Sequence, residues 1–174
     1  MESRGCQKQF IENYHPADTK EAPKIDNAAK TITVVISWIA LNGAIAALYY
    51  LGIIDQGILV LICLLYSVFD MVCILFFCPF QTWMMKNKCC GTCRIYNWDF
   101  LMMFTPCIII DHPMAKVLLV LAALLFIEWE IIYKLHPERF AENTNEFLRC
   151  DNCTEKLCSH KKQLQHFLKK INRT

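Results

Sequence analysis

Glycine and proline are scarce in this 174-residue chain, at five and six residues, and neither gathers into a Gly/Ser-rich or Pro-rich linker. A second domain on a flexible connector is therefore not expected. Charge is also thin: 20% of residues are charged and the formal net charge is +2, too weak a bias to suggest a nucleic-acid partner. No internal repeat of fixed period is visible. Behind Met1 the chain is acidic and polar, so a cleaved secretory signal is not expected.

What the chain has in excess is apolar surface. Hydrophobic residues make up 55% of it and the mean hydropathy is +0.29, above the roughly 45–50% usual for soluble domains. Residues 31–54 carry no formal charge between Lys30 and Asp55. At about 1.5 Å per helical residue such a run crosses a hydrocarbon core of ~30 Å. Residues 57–80 form a second run with Asp70 near its middle, and residues 117–133 a third between Lys116 and Lys134. Residues 95–110 are the weakest, broken by Pro106, and either cross or re-enter.

The basic residues arbitrate. Four crossings put 17 of the 18 lysines and arginines on one side and leave only Lys116 opposite, and basic segments near membrane spans are retained in the cytoplasm. The expected fold is an all-α integral membrane four-helix bundle with a short third segment. Residues 1–30 form a polar cytoplasmic segment, residues 31–133 the transmembrane region, and residues 134–174 a cytoplasmic cysteine-containing tail. The outer connections IIDQG and DHPMAK are too short to form an extracellular domain. Localisation follows as a multi-pass cell-membrane protein, with lipid and a protein of a membrane assembly as partners.

Eleven cysteines divide by position. Cys63, Cys73 and Cys107 lie in apolar runs and read as small packing residues. Cys6 lies in the N-terminal segment. Seven gather at the expected cytoplasmic boundary: Cys78, Cys89, Cys90 and Cys93 around the loop KNKCCGTCRIYNWD, and Cys150, Cys153 and Cys158 in the tail. Cys90-Gly-Thr-Cys93 and Cys150-Asp-Asn-Cys153 are two CxxC units, a spacing that turns two thiolates toward one metal. Cys158 and His160 supply two further ligands, with Cys78 and Cys89 as additional candidates. In a reducing compartment this pattern points to metal binding or thiol chemistry rather than structural disulfides. Zinc and an iron–sulfur cluster fit equally, and the compact ferredoxin cysteine order is lacking.

The expected function is membrane-associated electron transfer at that centre, or a redox assembly; a zinc-stabilised adaptor is the alternative. CGTC also reads as a reactive dithiol whose pKa Arg94 lowers. In broad architecture a four-helix membrane protein with CxxC is similar to the quinone-linked disulfide-forming proteins. That resemblance implies exchanging cysteines on the outer side, opposite to the sidedness read from the charges.

Three charged features complete the reading. Asp70 and Glu128 are intramembrane acidic candidates, Asp70 needing either a hydrogen bond near Ser67 or a proton, ion or quinone pathway. Glu130 is expected to pair with Lys134 at i,i+4, and NWD to cap a helix with an interfacial tryptophan. KKQLQHFLKKINR places Leu164, Phe167, Leu168 and Ile171 on one helical face among five basic residues, an amphipathic helix suited to an anionic leaflet.

Overall fold

The computed structural model describes residues 6–18, 21–24, 28–76, 78–87 and 92–149. The regular secondary structure of those residues is all helical, with no strand beyond one isolated bridge between Pro16 and Asn145. Three long helices dominate: α1 (Ala28–Tyr50), α2 (Gln56–Leu75) and, after the short α3 (Asp99–Met103), α4 (Pro113–Leu135). Two of them, α1 and α2, are long and apolar enough to cross a membrane. Helix α4 is as long as α1, but only residues 117–127 run without a charge between Lys116 and Glu128.

Local chemistry sets the boundaries. Helix α1 stops four residues short of the expected end because Gly52 adopts φ +73°, which a side chain would oppose. Around it Gly52 N donates to Tyr49 O (2.9 Å) and Ile53 N to Leu48 O (3.0 Å), closing a Schellman turn. Asp55 then caps α2 by accepting from Ile58 N at 2.8 Å. Helix α2 ends at Leu75 rather than running on to residue 80, because Pro79 disfavours helix in the residue before it. The chain resumes as a π-helical turn, Phe80–Met85, closed by Lys86 at φ 56° and by Lys30 Nζ donating to Met85 O at 2.9 Å.

The third apolar run is not a regular span. It comprises a 3-10 turn at Arg94–Trp98, five residues of α3, and another 3-10 turn at Thr105–Ile108. It nonetheless travels the length of α4 in the opposite direction. Arg94 and Trp98 bond to Glu130, Trp98 stacks edge-on to Phe126, and Lys116 Nζ donates to Ile108 O at 2.8 Å. From position 115 to 130 an α-helix rises roughly 22 Å.

Apolar packing divides between the two ends. Val34, Met85, Cys93, Ile95 and Trp98 form one cluster; Leu59, Cys63, Cys107, Ile110 and Ala115 form the other, near the α1–α2 turn. Between them the helices present apolar side chains outward, including Ile36 and Ile39 of α1, Leu61 and Val68 of α2, and Leu124 and Ile127 of α4.

The segments flanking the helices are not separate appendages. Residues 6–17 lie against residues 137–149: Ala17 N donates to Thr144 O and Glu146 N to His15 O, both at 2.9 Å. Arg139 Nε donates to Gln9 O at 2.8 Å, and Asn145 Nδ2 donates to Lys8 O and Arg139 O at 3.0 Å each. Asn97 joins the third segment to this cap, accepting from Cys6 N (3.1 Å) and donating to Gln9 Oε1 (2.7 Å). Phe10 stacks on Trp129 and Phe140 packs edge-on to Trp129 and Tyr133, which seats the cap on the last turns of α4. Neither flank has enough apolar surface for a core alone; together they bury a polar network of Gln9, Asn97, Arg139 and Asn145.

Asn145 is fully buried. Asn145→Ala leaves two carbonyls without their donor, at a cost of about 1–3 kcal/mol. The expected outcome is faster amide hydrogen exchange across residues 6–17 with α1 and α2 unchanged. Identical exchange in the variant and the parent would show that the cap does not depend on this side chain.

Candidate functional site

A half-open cavity of about 310 Å³ lies at the end of the bundle that carries the Phe80–Met85 turn and Arg94. It exists because the connection after α2 and the start of the third segment are irregular, so no straight helix fills the space beside α1 and α2. Trp38 of α1, Tyr66, Phe69, Asp70 and Cys73 of α2, Cys78 and Phe80 of the connection, and Cys93, Tyr96, Asp99 and Met102 of the third segment line it. Tyr66, Asp70 and Cys73 fall at i, i+4 and i+7, one stripe of α2.

Three cysteines thus meet the same cavity. Cys93 is buried within the cluster around Trp98, and Cys73 and Cys78 are half-buried. Cys78 Sγ accepts from Gln81 N at 3.4 Å. Among the described residues, however, no three of His, Cys, Asp and Glu come close enough together to hold a metal. The remaining ligand candidates, Cys89, Cys90, Cys150, Cys153, Cys158 and His160, lie outside the described residues, as does the amphipathic stretch 161–173. Cys73 had been assigned to packing alone; its i+3 spacing from Asp70 was the signal that could have placed it on the wall.

Asp70 stands five residues before the end of α2 rather than at mid-span, because the helix is shorter than the apolar run. The expected hydrogen bond near Ser67 is not made: Ser67 Oγ donates to Cys63 O at 3.1 Å, within its own helix. Among the described residues Asp70 has neither a hydrogen bond nor an ion pair. Glu128, the other acidic candidate, is half-buried and does not line the cavity.

Glu130 is the carboxylate that the fold engages. It does not pair with exposed Lys134; it accepts from Arg94 through Nε (3.2 Å) and Nη2, and from Trp98 Nε1 at 2.8 Å. The Arg94 guanidinium also lies 4.3 Å from the centroid of the Tyr133 ring and 5.7 Å from that of Trp98. Burial works against the Arg94 charge, but the hydrogen bonds and negative charge of Glu130 outweigh it and hold the pKa above the ordinary arginine value. Arg94 therefore remains charged and committed to Glu130. Trp98 is correspondingly a buried hydrogen-bond donor, not an interfacial anchor. Asp99 Oδ1 accepts from the adjacent Phe100 N at 2.7 Å at the start of α3.

No protein-family model, curated protein or solved structure matches this chain. What the site does must therefore be argued from its own chemistry.

The fork between Arg94 and Glu130 has side chains only about one-fifth exposed, at 21% and 19%. A double-mutant cycle with Arg94→Ala and Glu130→Ala should return a coupling of about 1–3 kcal/mol in detergent unfolding. A coupling near zero would class it with ordinary surface pairs.

Proposed function

We propose that the protein is a multi-pass helical membrane protein carrying a cysteine-rich metal or iron–sulfur centre at the cytoplasmic end of its bundle, where it serves membrane-associated electron transfer. The carrying observation is that both CxxC-bearing segments leave the described fold at one end. Arg94, next to Cys93, is clamped to Glu130 near the end of α4, and Arg149, next to Cys150, belongs to the cap seated on Trp129 and Tyr133. The cap reaches the third segment through Asn97. Loop and tail thiols can then share one centre without unfolding anything between them.

Support for the membrane comes from the outward apolar faces of α1, α2 and α4. Such faces would each expose apolar area to water at ~25 cal/mol per Å², and lipid removes that cost. The traverse of the third segment favours four passages over three, and the basic residues then place both chain ends inside. The ligand set is Cys90, Cys93, Cys150, Cys153, Cys158 and His160, with Cys78 and Cys89 in reserve. Thiolates bind either zinc or iron–sulfur clusters, and a colourless zinc site that only orders the tail for a partner protein is the second reading.

Metal analysis with a visible absorption spectrum of the purified protein separates the two. A broad iron–sulfur band is the expected result; stoichiometric zinc without colour would move the protein to the adaptor class, and no bound metal would end both readings. Cys90→Ser with Cys93→Ser should lower the metal content and expose the tail to protease together. Unchanged metal and protection in that variant, with loss in Cys150→Ser plus Cys153→Ser, would confine the site to the tail. Impermeant thiol reagents should label Cys90 and Cys153 only after lysis; labelling of intact cells would reverse the topology and favour external disulfide exchange.

A further inference from the structure

The geometry points to the cavity beside Asp70 as a binding site for a lipophilic organic cation, a small quaternary ammonium or similar head on an apolar body. The proposal rests on Asp70 and the aromatic rings rather than on a metal, although Cys93 of the proposed ligand set shares the cavity wall. Asp70 is a carboxylate on the wall of an almost wholly apolar cavity, and among the described residues nothing donates to it or pairs with it. An ionisable group in such surroundings is costly unless an opposite charge joins it. Among the described residues the nearby cations are engaged elsewhere: Lys30 Nζ serves Met85 O, and Arg94 serves Glu130. Lys86 is exposed and makes no pair with Asp70.

The remaining walls select the kind of cation. Trp38 and Tyr66 lie 4.8 Å apart between centroids in a tilted pair, and Phe80 approaches Trp38 edge-on at 6.3 Å, so three aromatic rings cluster on the cavity wall. Aromatic faces beside a carboxylate attract an organic ammonium, whose charge is spread and weakly hydrated. A metal ion would demand several converging ligands, and among the described residues no three of His, Cys, Asp and Glu come together to supply them. A neutral quinone carries only acceptors and offers no charge to an ionised Asp70. At about 310 Å³ and half-open, the cavity has room for one small head and leaves an attached apolar chain outside it.

The test is equilibrium binding of radiolabelled benzyltrimethylammonium to the full chain in zwitterionic nanodiscs. One saturable site per chain is expected, with affinity falling about tenfold or more in Asp70→Asn and staying within about threefold in Asp70→Glu. Asp55→Asn, at the far turn, should leave binding unchanged. Neither the neutral carbon isostere neopentylbenzene nor a short-chain ubiquinone should displace the probe. Helical circular dichroism and a monodisperse elution profile check that Asp70→Asn is folded, and the near-isosteric exchange favours that. Absence of saturable binding, equal affinity in folded Asp70→Asn, or displacement by the quinone would each overturn the proposal.

Discussion

The clamp that Glu130 closes on Arg94 and Trp98 is the constraint around which the rest of this fold is arranged. The third segment has too little regular helix to satisfy its own backbone, so it cannot hold its course by internal hydrogen bonds as α1, α2 and α4 do. It is instead tied at intervals. A bidentate ion pair fixes its beginning, Trp38 Nε1 donating to Thr105 Oγ1 at 3.1 Å holds its middle, and Lys116 donating to Ile108 O fixes its end. Thr105 Oγ1 in turn donates to Leu101 O at 2.8 Å, occupying a carbonyl where the helix breaks. The first tie matters most because it is charged and largely withdrawn from water, so losing either partner strands the other.

That same tie orders the end of the bundle around it. Once Arg94 is held against Glu130 and Tyr133, Asn97 is carried to the N-terminal segment, where Gln9 and the Cys6 amide complete its hydrogen bonds. Arg139 and Asn145 then meet carbonyls of the same segment. The two polar groups, Arg94–Trp98–Glu130 and the cap bonds of Asn97, Gln9, Arg139 and Asn145, meet along the chain at Asn97 and Trp98. Opposite, at the α1–α2 turn, Cys63 and Cys107 approach to 3.8 Å between sulfurs inside an apolar cluster. One end of the molecule is specified by directional bonds, the other by packing.

These two modes explain what could be read from the chain and what could not. Helix α1 was the most legible because an uncharged apolar run of more than twenty residues leaves few alternatives, and α2 and α4 showed through long apolar runs despite Asp70, Glu128 and Glu130. Their ends were legible only in hindsight, since Gly52 and Pro79 act locally within runs whose hydropathy continues past them. The cap was not legible, because isolated residues such as Gln9, Asn97 and Asn145 carry no periodic signal and their cross-segment partners lie about ninety residues away and beyond. Glu130 was misassigned for the same reason: Lys134 was the local choice, and the distant Arg94 offered a fork rather than a single contact. Of the candidate site, Cys78, Cys93 and Asp70 were named from sequence and do share a cavity wall, while the aromatic rings that give that wall its character were hidden in the general apolar composition.

The cavity itself is a consequence of irregularity. Backbone that leaves a helix within an apolar bundle is tolerated where protein buries it or where it lines an opening. Between Phe76 and Asp99 the chain forms only a π-helical turn and a 3-10 turn in its described portions. A continuous fourth helix over that stretch would pack against α1 and α2 and cover Trp38, Tyr66 and Asp70. The interruption keeps the i, i+4, i+7 stripe of α2 facing open space, and it brings Cys93 to the same wall as Cys73 and Cys78. Stability and opening are thus set against each other in one segment: the polar ties secure a path that helix propensity alone would not hold, and the room left beside that path is where chemistry becomes available.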